Sequence, residues 1–342
     1  MAGMLLDRRA LLASIGAAAF AGTGDLAQAA AAPKTAMRRW YPDYQARDID
    51  IVDYQEFRVR GCDARFRGPG FDPFAAKRGS FFTCLGAAQT YGCFSGRPFP
   101  ARLADRIGVR ALNLGIGGAG PGFYLINPSL IDAANRGRFV ILQAMAARHE
   151  ANSRYAADGY VEYVRDRVRG DSVDSGTAWA RLIAEDFDNL PKYVAETRQT
   201  WLETMRELVS AIKVPILFFW FSTRAPDYTI DWDGLRAAKA QGAPVPKLVN
   251  ALFAHVPQMV DGPTARAAAA LCQVEASCRS TRGSGGVLVN RHTGLPIDPK
   301  AYRDRGIEYQ PLLSGRNHYY PSDEMHEDAA AILEPLARGL ST

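Results

Sequence analysis

Five cysteines and five histidines in 342 residues leave little material for metal chemistry. No C-x-x-C pair occurs and no cysteine stands near a histidine at ligand spacing, so no metal site is expected. Dense runs of one charge are missing too. Lys and Arg number 41 against 36 Asp and Glu, a net charge of +5 spread along the chain. That leaves no basic track for nucleic acid. Beyond the first thirty residues no apolar run is long enough to span a bilayer, and there are no internal repeats. What remains is 47% hydrophobic and 23% charged, the balance of a chain that buries a full core in one large α/β domain or two small ones.

The N-terminus is read apart from the fold. Arg8 and Arg9 precede a weakly apolar stretch, Leu11 to Ala21, followed by the small-residue site Ala27-Gln28-Ala29. Paired arginines in this setting resemble a twin-arginine export signal over residues 1–29, which implies a periplasmic or secreted protein with no membrane span after its removal. In an oxidising compartment Cys272 and Cys278 in "LCQVEASC" form the favoured disulfide, Cys62 and Cys93 are a second candidate pair, and Cys84 reads as core.

Residues 30–78, rich in Pro, Gly, Arg and aromatics, read as an irregular wrap over a domain at 79–342. "SFFTCLG" (80–86), "VRALNLG" (109–115), "RFVILQAM" (138–145) and "VPILFFWF" (214–221) are short apolar runs, as in parallel strands buried on both faces. A fifth strand is expected at "GGVLVN" (285–290). Amphipathic stretches lie between them; in the longest, 190–213, Tyr193, Trp201, Met205, Leu208 and Ile212 recur at helical spacing. The alternation predicts a doubly wound α/β sheet. Two stretches, 151–188 and 222–284, interrupt it after strands, so both belong at the carboxyl edge where such sheets bind ligands.

"GIGGAGPG" follows the second strand, and Gly115, Gly117 and Gly120 satisfy the dinucleotide pattern G-x-G-x-x-G. Pro121 follows at once, and the next strand ends without the acidic residue that holds a ribose. No cofactor is expected.

"CLGAAQTYG" (84–92) has the shape of a strand running into a helix across a nucleophile turn, with alanine where a hydrolase carries serine. Gly86, Thr90 and Gly92 there, Asn113 and Gly115 after the second strand, and Asp323 and His326 in "SDEMH" together resemble the SGNH/GDSL hydrolase superfamily. The resemblance covers roughly residues 79–340. The run from "LGAAQTYGCF" through "NLGIGGAGPGFYL", with "WFSTR" and "YYPSDEMHE", is closer still to a proteobacterial domain family of unknown function that carries G-A-A-Q-T as its own pattern. The superfamily resemblance implies a three-layer α/β/α sandwich with a mostly parallel sheet, to which the two insertions add lids. It also implies a site built from Asp323 and His326 as an acid–base pair, with Ala88, Gln89, Thr90, Asn113 and Gly115 at the turn. Ala87 and Ala88 occupy the positions of the superfamily's Asp and nucleophilic Ser, and an alanine methyl cannot attack a carbonyl.

"MAARHEAN" (145–152) stands where the superfamily has G-x-N-D. It offers Arg148 for an anionic ligand and Asn152 as an amide donor. Ser222 and Arg224 leave the fourth strand at the same edge, and Thr90, Ser222 and Cys93 are the alternative nucleophiles. Tyr319 and Tyr320 in "NHYYP" either stack on a sugar ring or pack a loop. Three readings stay open. One is an ester hydrolase or acyltransferase on acylated or anionic envelope glycans, with His326 activating water. Another is a non-catalytic glycan- or ligand-binding protein on a degenerate hydrolase frame, and the third is an envelope interaction protein.

Overall fold

The structure, a computed structural model, describes residues 43–157 and 161–341. The expected export segment and the first residues of the expected wrap lie outside them. The chain opens with α1 (Tyr44–Asp48) and an irregular segment, then enters β1 (Phe81–Leu85), α2 (Ala88–Tyr91), α3 (Phe99–Ile107), β2 (Arg110–Asn113), α4 (Pro121–Leu125), α5 (Pro128–Ala134) and β3 (Val140–Gln143). A first insertion carries β4 (Tyr155–Ala157), β5 (Tyr163–Asp166), β6 (Ser172–Asp174) and α6 (Ser175–Glu185). The long α7 (Leu190–Ala211) leads to β7 (Ile216–Ser222). A second insertion carries α8 (Trp232–Ala240), α9 (Val245–Phe253) and α10 (Gly262–Ala269). After it come β8 (Val274–Arg279), β9 (Gly286–Val287), α11 (Pro299–Asp304), α12 (Gln310–Ser314), β10 (Arg316–Asn317) and the closing α13 (Asp323–Gly339).

Five strands form one parallel sheet in the order β2-β1-β3-β7-β8. Side chains alternate across it with period two. Phe81, Leu85, Val140, Leu142, Phe218 and Trp220 point to one face, where α4, α5, α7 and α10 cover them. Phe82, Cys84, Ile141, Leu217, Phe219 and Phe221 point to the other, against Phe99 and Leu103 of α3 and Met325, Ala329 and Leu333 of α13. This is the expected three-layer α/β architecture, and the four apolar runs are its three inner strands, β1, β3 and β7, and the edge strand β2.

The fifth strand is a correction. It is Val274–Arg279, within the stretch read as an insertion, and not 285–290, where Gly286 and Val287 instead pair antiparallel with Asn317 and Arg316. As an edge strand, β8 buries only Ala276 and Cys278 and exposes Glu275 and Arg279, so it lacks the continuous apolar run of a central strand. The disulfide expectation is corrected too. No bond joins Cys272 to Cys278 or Cys62 to Cys93. Cys278 faces the core from β8, while Cys272 sits in the turn after α10 near the Ala268 carbonyl. Among the described residues no helix is long and apolar enough to cross a membrane.

Strand order reverses at β1. The chain leaves β1 towards β2 on one side, and β3 then returns to its other side. Loops leaving the carboxyl ends of β1 and β3 therefore diverge and open a crevice between them, the place where doubly wound sheets hold ligands.

Candidate functional site

The turn after β1 is built as a rigid frame. A Cβ on Gly86 would stand 2.2 Å from Thr90 Oγ1 and 2.6 Å from Gln143 Oε1, so only glycine fits. The Gly86 amide donates to the Tyr124 hydroxyl at 2.8 Å, and the Ala87 amide donates to Gln143 Oε1 at 2.9 Å. The Thr90 hydroxyl donates to the same oxygen. Asn113 ties the second strand to this turn: its Nδ2 donates to the Thr90 carbonyl at 2.8 Å, and its Oδ1 accepts from the Gly115 amide. Thr90, Asn113 and Gly115 are thus framework, their polar groups committed to one another. Ala88 and Gln89 line the crevice beyond them.

The loop after β3 supplies the charged and ionisable groups. Arg148 and His149 are both buried and both line the crevice. The Trp179 indole donates to the Arg148 carbonyl at 2.8 Å, which fixes the loop from α6. Arg148 Nη1 donates to Ser175 Oγ at 2.9 Å, and Nη2 donates to Glu162 Oε1 of the first insertion at 2.7 Å. Its Nε has no partner, and neither do Nδ1 and Nε2 of His149. Burial and the Arg148 charge pull the His149 imidazole down to about 3, so it stands neutral at physiological pH. Burial pushes the neighbouring Glu150 carboxyl up to about 7. Asn152 is a correction: its Oδ1 accepts from the Arg154 and Tyr155 amides and its Nδ2 donates to Thr197 Oγ1, so it shapes the turn into the insertion.

The glycine run after β2 makes room for side chains rather than for phosphates. A Cβ on Gly117 would strike the Tyr44 hydroxyl, one on Gly118 would meet Glu162 Cγ at 2.0 Å, and one on Gly120 would meet His149 Nε2 at 2.2 Å. Gly115, the first glycine of the pattern, packs against the backbone of Thr90 and Tyr91.

Ser222 and Arg224 also turn out to be framework. The Ser222 hydroxyl donates to the Val256 carbonyl at 2.5 Å, and the Arg224 guanidinium donates to carbonyls of His255, Pro257 and Val260. Together they shape the loop that brings Pro257 and Gln258 to the crevice wall.

The expected acid–base pair is not assembled. Ser322 caps α13 by accepting from the Met325 amide, so the helix has already begun at Asp323. His326 falls one turn in, on the face turned to the sheet, fully buried between the Phe99 and Phe221 rings. Its Nδ1 accepts from the Phe99 amide at 3.2 Å and its Nε2 has no partner. Burial pulls it down to about 3. Asp323 points away, accepting from Ser95 Oγ at 2.6 Å and pairing with Arg102. Neither residue lines the crevice. Tyr319 and Tyr320 line it instead. Tyr320 stands in a tight turn where Asn317 Oδ1 accepts from its amide and Asn317 Nδ2 donates to its carbonyl. That turn sets the Tyr320 ring on the crevice wall.

The crevice holds a cavity of about 30 Å³, room for roughly one or two waters. Tyr44, from the segment before the domain, closes one side with its ring 6.4 Å from that of Tyr320. Sequence reasoning missed Tyr44 and Glu162 because both reach the site through tertiary contacts. Thr90 and Ser222 are committed as described, and Cys93 is buried in the aromatic cluster of Tyr44, Tyr91 and Tyr320, its thiol held protonated by burial.

Residues 43–159 match a family model described only as a domain of unknown function (DUF6473). No curated protein matches the sequence. Among solved structures, a gut microbial diltiazem-metabolizing enzyme is similar at 11% identity and a TM-score of 0.34, covering 77% of this chain. The chain spans 48% of the length of that enzyme. A catalytic mutant of an acetylxylan esterase from Geobacillus stearothermophilus is similar at 13% identity and a TM-score of 0.27, with 75% of this chain and 94% of that chain covered.

Proposed function

We propose that this protein binds a small polar ligand, of the carbohydrate class, in the crevice between the β1 and β3 loops and does not hydrolyse it. The observation that carries this reading is the lining itself. Ala88, at the turn where the hydrolase resemblance implies a nucleophile, offers only a methyl group to the crevice, while His326 lies in the core. Tyr44, Tyr319 and Tyr320 offer amphipathic ring faces of the kind that pack on sugar rings. Gln89, Arg148 and His149 add polar groups to orient a ligand. The twin-arginine-like N-terminus supports action outside the cytoplasm, on envelope or extracellular glycans.

One observation favours a second reading. The His149 imidazole lines the crevice with both nitrogens unpartnered, placed to accept a hydrogen bond from a water held there, which would make this an ester hydrolase without a nucleophilic serine. Calorimetric titration with monosaccharides and sugar acids, beside turnover assays on acetylated glycans, separates the two. Binding without turnover is the expected result. Turnover abolished by His149→Gln selects the second reading. Turnover abolished by His326→Ala in a variant that remains folded contradicts both.

A further inference from the structure

Arg148 is the most deeply buried charge facing the crevice, 3% exposed, and its partner is incomplete. The side edge of a guanidinium, Nε with Nη2, matches both oxygens of a carboxylate. Among the described residues the same bidentate edge is used elsewhere: Arg47 holds both oxygens of Asp48, and Arg154 holds both oxygens of Asp166. At Arg148 the same edge is half used. Nη2 donates to Glu162 Oε1 while Nε is buried with no acceptor. Both nitrogens of His149, 7% exposed, are likewise unpartnered on the same wall. A neutral imidazole carries one N–H, so the wall presents two buried donors without acceptors, and leaving such donors unmatched is costly.

Glu162 reaches this place from β5's leading end, at a left-handed φ of 66°. It passes over Gly118, where any side chain would collide with it. Its carboxylate fills the crevice beside Arg148. With Glu162 in place the remaining space is about 30 Å³, too little for a sugar.

We propose that the crevice takes a ligand bearing a carboxylate, and that Glu162 is the internal carboxylate that occupies Arg148 until the ligand displaces it. The incoming group accepts from both Arg148 Nε and Nη2, and its second oxygen or a neighbouring hydroxyl accepts from His149. Glu162 then turns to solvent from the edge of the insertion. The proposal rests on the ligand-binding reading above and adds the ligand's charge and the means by which the empty site stays closed.

The test is calorimetric titration of the full chain with galacturonate, galactose and inorganic sulfate, for the wild type, Glu162→Gln and Arg148→Lys. Glu162→Gln keeps the shape of the insertion and removes the competing charge. Arg148→Lys keeps the charge and loses the fork. Galacturonate is expected to bind the wild type and to bind Glu162→Gln roughly tenfold more tightly, the size of one charge-assisted hydrogen bond. It is expected to bind Arg148→Lys weakly, and galactose, which has no carboxylate, is expected to bind the wild type and Glu162→Gln more weakly than galacturonate does. Equal affinity for galactose and galacturonate in the wild type and Glu162→Gln overturns the carboxylate proposal and leaves the binding reading standing. Sulfate tightening in Glu162→Gln while galacturonate does not also overturns it. A loss of stability in Glu162→Gln with no gain in affinity makes the ion pair a structural one and overturns it. No binding of any probe by any variant removes the binding reading itself.

Discussion

At the scale of single residues the account turns on which groups are spoken for. Thr90, Asn113, Asn152, Ser222 and Arg224 each satisfy the protein's own backbone or side chains, whereas Arg148 and His149 keep unmatched buried nitrogens. Ala88→Ser is expected to leave hydrolysis of p-nitrophenyl acetate at the buffer rate, because His326, the base of the expected pair, lies in the core and outside the crevice. A stable acyl-enzyme or a measurable rate in that variant would refute this. Little of the candidate site was legible at this scale. Asp323 and His326 have a spacing that suits an acid–base pair, but Ser322 starts the helix just before them and winds His326 into the core. A residue's type and spacing name what it can do; its partners decide whether it is available, and those partners come from distant segments.

At the scale of elements, the inner strands β1, β3 and β7 and the long α7 were legible because burial on both faces forces continuous apolar runs, and burial on one face of a helix forces a repeat of three to four residues. β8 escaped because an edge strand needs apolar residues on one face only. The loop after β2 shows the same limit: its glycines spell a nucleotide fingerprint, yet Gly117 and Gly120 give way to the Tyr44 and His149 side chains and Gly115 to the Thr90–Tyr91 backbone. Gly120→Ala is expected to push His149 off the crevice wall and to cost about 1–3 kcal/mol of stability, as forced overpacking does. Urea denaturation together with the galacturonate titration checks both effects. Trp179→Phe removes the hydrogen bond that pins the Arg148 carbonyl. It is expected to weaken acidic-ligand binding several-fold while galactose affinity stays as it was.

At the scale of the whole molecule, the strand order places the site, and buried ionisable groups couple its stability to pH. His149 and His326 are both held neutral, with pKa values near 3 in the fold against 6.5 for the free side chain. The unfolded chain therefore takes up protons below pH 6.5 that the fold refuses, and stability falls as pH drops from 6.5 towards 3. Glu150 acts the other way. Raised from 4.5 to about 7, it keeps a proton in the fold that the unfolded chain has lost, so it offsets one histidine between pH 6.5 and 4.5. His326→Leu removes one of the two histidine contributions. Between pH 7 and pH 5 its unfolding free energy is expected to fall by about 2 kcal/mol less than that of the wild type. Equal losses in the two proteins would show that His326 titrates in the fold.

The most direct measurement is the response of the five histidines to galacturonate, followed through their imidazole Cε1–H signals by NMR. The account predicts that the His149 signal shifts on saturation while that of His326 stays in place. A shift of His326 with His149 unmoved would put the ligand on the α13 side of the sheet and contradict the assignment of the site.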